Sequence, residues 1–268
     1  MSMAYRPSTN AVPPRLPRTG ILSFLAYLVA AVVILWSLGS SELSLTKLAR
    51  GVPEIGRLVS EMFPPALDRM PSIGNMLLQT FQMAVAGTFL GVVLSLPLAV
   101  LSARNTAPHW TVQVATRALV TAFRTVPDLV WAIIFVITVG LGPFAGVLAL
   151  MVDTTGFCAR FFAEAMEDAD DGPPEALRSL GASSTATVVS AVFPATLPSM
   201  IATSLFAFEK ATRSSVVLGL VGAGGIGVEL MAAMDMYDYR NVSTIILCVF
   251  AMVLAVEQLS SALRQRIL

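Results

Sequence analysis

Residues 164–198 read EAMEDADDGPPEALRSLGASSTATVVSAVFPATLP, a polar stretch set in a chain that is otherwise mostly apolar. Glu164, Glu167, Asp168, Asp170, Asp171 and Glu175 crowd together, and Arg178 is the only cation among them. Pro173 and Pro174 suit the opening turn of a helix, where a missing N–H sacrifices no bond. Glu175 then falls in the first turn, where the helix dipole favours an anion. Gly181 suits the position just past a helix end. The stretch predicts a short helix over residues 174–180, slung between two membrane helices.

Composition fixes the solvent. The 268 residues are 56% apolar and only 13% charged, about half the charge of an ordinary soluble domain. This is the composition of a membrane protein. A formal net charge of zero argues against nucleic acid as a partner. Cys158 and Cys248 are isolated in apolar segments, so neither a disulfide nor a metal site is expected. The single histidine, His109, sits in a short polar connection and cannot build a catalytic centre alone. No G-x-x-x-x-G-K-[ST] string is present, so the chain is not expected to hydrolyse ATP.

Read in order, residues 1–18 are proline-rich and carry Arg6, Arg15 and Arg18, which predicts a flexible cytosolic tail. Residues 19–41 carry no charge and are long enough to cross the hydrocarbon. The apolar run of residues 21–38 is longer than a cleaved signal usually has, so an uncleaved first span is expected. Residues 42–69 form an amphipathic extracytoplasmic segment. Leu45, Leu48, Val52, Ile55, Leu58, Val59 and Met62 recur at helical spacing, with a break expected near Pro53. It lies on the outer membrane surface or folds as a small packed hairpin.

Residues 70–268 form the core domain. Further spans are predicted at about 73–101, 112–139, 144–165, 198–220 and 241–263, with the polar loop 164–198 between the fourth and fifth. The fold class is therefore an all-α integral membrane protein of about six spans. Both termini then lie in the cytosol. Arg104, Arg178, Arg264 and Arg266 fall inside and the turn at Gly140 carries no cation, in keeping with the positive-inside rule.

Charges within spans are costly and are functional candidates by default. Arg124 and Asp128 stand four apart in the third span, and Glu209 and Arg213 stand four apart in the fifth. That spacing puts each pair on one helix face. Asp153 lies near the middle of the fourth span, two turns from Arg160. Either these ions neutralise one another and fix packing, or some line a polar path between two copies of the chain. The path candidates are Arg124, Asp128, Asp153, Glu209, Arg213 and Ser214. Arg124, Arg160, Lys210 and Arg213 are the cations that could compensate an anion, and Arg213 is favoured, released from Glu209. Gly222, Gly224, Gly225 and Gly227 match G-x-G-x-x-G, but between membrane spans a dinucleotide fingerprint is discounted. They are read instead as a helix break and gate.

Two family likenesses emerge from these residues. Glu175-Ala176, Gly181 and Pro194 resemble the EAA loop of ABC-importer permeases. Leu177 stands for the second Ala, and Ala191 and Phe193 stand for the Ile and Leu before Pro194. More specifically, FRTVPDLVWA at 123–132, GPFAGVLAL at 142–150, FAEA at 162–165, Arg213-Ser214 and GLVGAGGIG at 219–227 look like the phosphonate-type ABC permease family, in order from about residue 72 onward. Asp153 departs from that pattern.

The resemblance implies a type I importer permease in the bacterial cytoplasmic membrane: a methionine-permease-like core of five helices plus one N-terminal helix. It implies a homodimer, a pair of cytosolic ATPases that hold ATP and Mg2+, and an extracytoplasmic substrate-binding protein. It implies inward movement of phosphonate, phosphate or phosphite by alternating access. Glu175, Ala176, Leu177, Arg178, Gly181 and Pro194 would then couple to the ATPase. The alternative in the same fold is a permease for methionine or another amino acid. An alternative of a different class, a membrane-embedded hydrolase using Asp153 with Asp170 or Asp171, is disfavoured because the topology separates those carboxylates.

Overall fold

The structure, a computed structural model, describes residues 20–41 and 44–267, and every regular element among them is helical. The expected tail, residues 1–18, lies outside the described residues. The chain divides into two units, Met1–Arg57 and Leu58–Leu268.

In the first unit, α1 (Ile21–Ser40) is a 20-residue helix of mean hydropathy 2.5 with no buried residue. At 1.5 Å per residue it is about 30 Å long, one hydrocarbon thickness. The same unit holds the start of α2 (Leu45–Met62). The break expected at Pro53 does not occur, and the helix runs through it. Pro53 is exposed, so the one backbone bond it cannot donate faces surroundings and not a packed neighbour. Leu48, Val52, Ile55 and Val59 are all exposed.

The second unit is built around α3 (Met70–Ser102) packed along α6 (Pro143–Glu167). Small residues allow the close approach. A Cβ on Gly87 would stand 2.6 Å from Leu150 Cβ, and one on Gly91 would stand 2.6 Å from Thr154 Cβ. This Gly-x-x-x-Gly spacing is the usual device for bringing membrane helices together, since burial from lipid offers no hydrophobic gain. Thr155 Oγ1 also donates to the carbonyl of Gly91 at 3.4 Å.

The third span departs from expectation. It is two helices, α4 (Trp110–Thr125) and α5 (Asp128–Val139), bent by 89°. The cause is local. Pro127 disfavours the helical conformation at the residue before it, and Val126 is extended at φ −82°, ψ 121°. Arg124 and Asp128 therefore lie on different helices, and the expected pair on one face does not exist.

The polar loop is also shorter than residues 164–198. Helix α6 continues to Glu167, α7 spans Gly172–Ser179, and the next helix starts at Ser184. That helix runs 36 residues to Gly219 as α8 (Ser184–Thr187), a π turn (Val188–Val192) and α9 (Phe193–Gly219). Pro194 would clash with the carbonyl four residues back in an ideal α-helix. In the widened turn, Phe193 N–H bonds Val188 O five residues back, so the helix passes the proline. Helices α10 (Ile226–Asp235) and α11 (Tyr239–Ile267) complete the unit. Five helices among the described residues are long and apolar enough to cross a membrane, or six if the bent α4–α5 pair is one span.

Candidate functional site

The short helix α7 closes as its sequence predicts. Glu175 is in its first turn. Gly181 has φ +83°, a left-handed backbone that costs a residue with a Cβ. Gly181 N–H bonds Arg178 O at 2.9 Å, and Ala182 N–H bonds Leu177 O at 3.0 Å. Those two bonds form a Schellman end and satisfy carbonyls the helix would leave free. Ala176 is exposed and Leu177 half-buried on α7, whereas Pro194 stands apart from α7, exposed inside the continuous helix.

A polar cluster ties the end of α6 to the connection between α3 and α4, and one bond reaches α7 from it. Glu167, 13% exposed, accepts hydrogen bonds from Arg117 Nη2 and from Arg104 N–H at 2.7 Å. Arg117 Nε also donates to Ser102 O at 2.8 Å, and Asn105 Nδ2 to Met166 O at 2.6 Å. Arg178 Nη2 reaches Asn105 O at 3.4 Å. A cavity of about 450 Å³ lies between this connection and the next helix, lined in part by Asn105, Thr106, Arg178, Ser184 and Thr185. Sequence reasoning missed the Arg117–Glu167 pair. The available signal was Arg117 itself, a cation inside an expected span. His109, in the same connection, caps α4 by accepting from Thr111 N–H.

The charges within the helices find partners that differ from those expected. Glu209 is 8% exposed and pairs at 2.6 Å with Arg264 of α11, not with Arg213. Glu209 turns inward onto α11, a neighbour that helical spacing along α9 does not reveal. Arg213 is exposed and lines an apolar groove with Val216, Leu230, Ile246 and Phe250. It forms no ion pair among the described residues. Ser214 beside it is half-buried. Asp153 accepts two hydrogen bonds from Lys210 Nζ, at 2.9 and 2.8 Å. Arg160 pairs with Glu164 one turn along α6. Arg124 forms no ion pair among the described residues and lies 5.9 Å from the centre of the Phe161 ring. Asp128, the first residue of α5, accepts from the neighbouring Leu129 N–H at 2.9 Å.

The glycine-rich junction is not at the tip of the helices. Gln79 Oε1 accepts from Gly225 N–H at 3.1 Å, and Thr80 Oγ1 from Ile226 N–H at 2.7 Å. Thr80 is ten residues into α3, about 15 Å along it. Gly222, Gly224 and Gly225 all have positive φ. Gly227 packs against Gly219 backbone, where a Cβ would lie 2.8 Å from Gly219 Cα. The α5–α6 turn meets the same junction. Gly142 N–H donates to Gly222 O at 3.0 Å, and a Cβ on Gly224 would lie 2.7 Å from Pro143 N. Two loops far apart in sequence thus form one glycine-lined contact within the helix array.

Comparison with known proteins agrees with this architecture. Residues 91–268 match the family described as binding-protein-dependent transport system inner membrane component. The chain is 41% identical over 240 residues to the phosphite transport system permease protein PtxC of Stutzerimonas stutzeri, covering 89% of this chain and 86% of that one. It is 39% identical over 239 residues to the phosphate-import permease protein PhnE of Mycolicibacterium smegmatis, covering 89% of this chain and 44% of that one. Among solved structures, an inward-facing form of the MetNI methionine ABC transporter aligns with TM-score 0.66 at 24% identity, over 76% of this chain and 99% of that one. At that identity the likeness speaks for the fold, which is that of a type I ABC importer permease. The chain belongs to the family of binding-protein-dependent transport system inner membrane components, as a multi-pass, non-enzymatic permease of the phosphonate-type ABC group.

Proposed function

We propose that this chain forms the membrane path of an importer for phosphonate-class oxyanions: phosphonate, phosphate or phosphite. Two copies enclose the path, with both termini in the cytosol. An extracytoplasmic binding protein delivers the anion, and a pair of cytosolic ATPases binds ATP and Mg2+ and drives alternating access. Helix α7 docks into a groove on each ATPase, using Glu175, Ala176, Leu177, Arg178 and Gly181. The contact between the 140–143 turn and the 222–227 junction is the gate. The observation that carries the substrate class is the 41% identity to a phosphite permease across 89% of the chain. Cations without carboxylate partners, Arg124 and Arg213, support it, because an anion in a low-dielectric layer needs compensating charge.

The test is uptake by proteoliposomes holding this chain, its ATPase and its binding protein. Radiolabelled phosphate, phosphite or methylphosphonate should accumulate in an ATP-dependent manner, and methionine should not. Methionine uptake without oxyanion uptake would select the amino-acid permease instead. Native mass spectrometry of the complex should find two copies of this chain, and one copy beside a different permease would replace the homodimer by a heterodimer.

A further inference from the structure

We propose that Lys210 and Arg124 form a two-point oxyanion subsite within the membrane, and that Asp153 positions Lys210 for it; the assignment rests on the oxyanion reading above. Glu209 and Lys210 are neighbours on α9, about 100° apart around the helix. Glu209 turns to α11 and takes Arg264, while Lys210 turns to α6 and takes Asp153. The lysine side chain is 38% exposed and its aspartate only 14%, so an approaching anion meets the ammonium first.

The hydrogen-bond count leaves that ammonium room for a ligand. Lys210 Nζ donates to Asp153 Oδ1 at 2.9 Å and to Oδ2 at 2.8 Å. A lysine ammonium has three N–H donors, so the third is available. Nζ also lies 5.4 Å from the centre of the Phe157 ring. Phe157 packs on Phe161 with ring centres 4.7 Å apart and planes tilted by 51°, and the Arg124 guanidinium lies 5.9 Å from the centre of the Phe161 ring. Both cations thus rest on one aromatic pair, which attracts positive charge without consuming a donor. Arg124 has no carboxylate partner, so its planar fork is open to two oxygens of one anion.

Helix register puts the two cations beside positions less than one turn apart on α6. A Cβ on Gly156 would stand 3.1 Å from Arg124 Cγ. Gly156 is three residues from Asp153, a rise of about 4.5 Å along α6. Two cations and one carboxylate leave a single positive charge here, because Arg160 and Glu164 cancel each other one turn on. That balance suits a transporter. An anion gains enough to enter, and Asp153 keeps the hold weak enough for it to leave. Arg213 lacks this setting, since its neighbours Val216, Leu230, Ile245, Ile246, Val249 and Phe250 offer no second polar group.

The test uses the complete transporter in proteoliposomes, with radiolabelled phosphate, phosphite and methylphosphonate as probes. Lys210→Gln should lower uptake by at least about tenfold, while assembly and basal ATP hydrolysis persist. Lys210→Arg should restore most of it. Asp153→Asn, which keeps both cations and one side-chain oxygen to hold Lys210, should lower uptake by no more than about threefold, and Asp153→Asn with Lys210→Gln should remain as low as Lys210→Gln. Recovery in that double variant, equal losses in the two single variants, or failure of both to assemble would each identify a brace between α6 and α9 and overturn the subsite. If the parent carries methionine and none of the three oxyanions, the substrate class itself is wrong. If the parent carries an oxyanion and the double variant recovers, only the Lys210 assignment falls.

Discussion

Gly181 offers a clean test of coupling because its side-chain space is empty. A Cβ there would meet no heavy atom within 4 Å, while the backbone sits at φ +83°. Any effect of Gly181→Ala inside this subunit is therefore torsional. An L-residue in the left-handed region costs about 1–2 kcal/mol, and asparagine tolerates it better. Helix α7 has only eight residues, too few to be stable alone, so its two closing bonds form a large part of what holds its end. A loss of 1–2 kcal/mol, roughly 5–30-fold in the population of the closed form, should appear in the docking equilibrium. ATP hydrolysis stimulated by the loaded binding protein is the assay, with retention of the ATPase on affinity-tagged permease as the companion measurement. The expected order of activity is Gly, then Asn, then Ala, then Val. Equal loss in Asn and Ala would mean that the groove on the ATPase rejects any side chain. Full activity in all three would remove the α7 end from coupling.

Glu167→Gln should weaken ATPase-coupled uptake and lower thermal stability by about 1–2 kcal/mol, discounted because Arg117 and Arg104 are partly exposed; an unchanged melting midpoint would show that the cluster is not an anchor. Gly87→Leu should prevent folding or cost several kcal/mol, on the order of 3 or more, because its Cβ overlaps Leu150; normal yield and monodispersity of that variant would contradict the α3–α6 packing. Arg264→Ala should destabilise by about 3 kcal/mol by stranding the buried Glu209 carboxylate, and Glu209→Gln with Arg264→Ala should recover most of it in a thermal assay. For topology, an impermeant thiol reagent applied outside should label a cysteine placed at Glu54 and spare one at Ser179; the reverse pattern would invert the protein.

The spans and α7 were legible in the chain because both depend on local chemistry. A long uncharged run has one stable fate in hydrocarbon, and Pro173, Glu175 and Gly181 mark helix ends through bonds made within a few residues. The bend at Val126-Pro127 was also written locally, yet residues 112–139, with only Arg117, Arg124 and Asp128 charged, were long and apolar enough to read as one straight span. Pro194 and Pro198 misled in the opposite direction. They look like boundaries, but the π turn of Val188–Val192 carries the helix past Pro194, and α9 runs on through Pro198.

Sequence by itself determined the class of solvent, most of the apolar spans, and the position of the short helix α7 to within about two residues. Tertiary structure alone decided which charges pair: Glu209 with Arg264, Asp153 with Lys210, and Glu167 with Arg117 and Arg104. It also decided that the turn at 140–143 and the junction at 222–227 meet against α3. The physical reason is the range of the forces. Backbone capping and apolar length act within a few residues, whereas a buried charge takes the nearest opposite charge in space. That neighbour is set by how Gly87 and Gly91 let α3 approach α6, and by the face each helix then turns to the others.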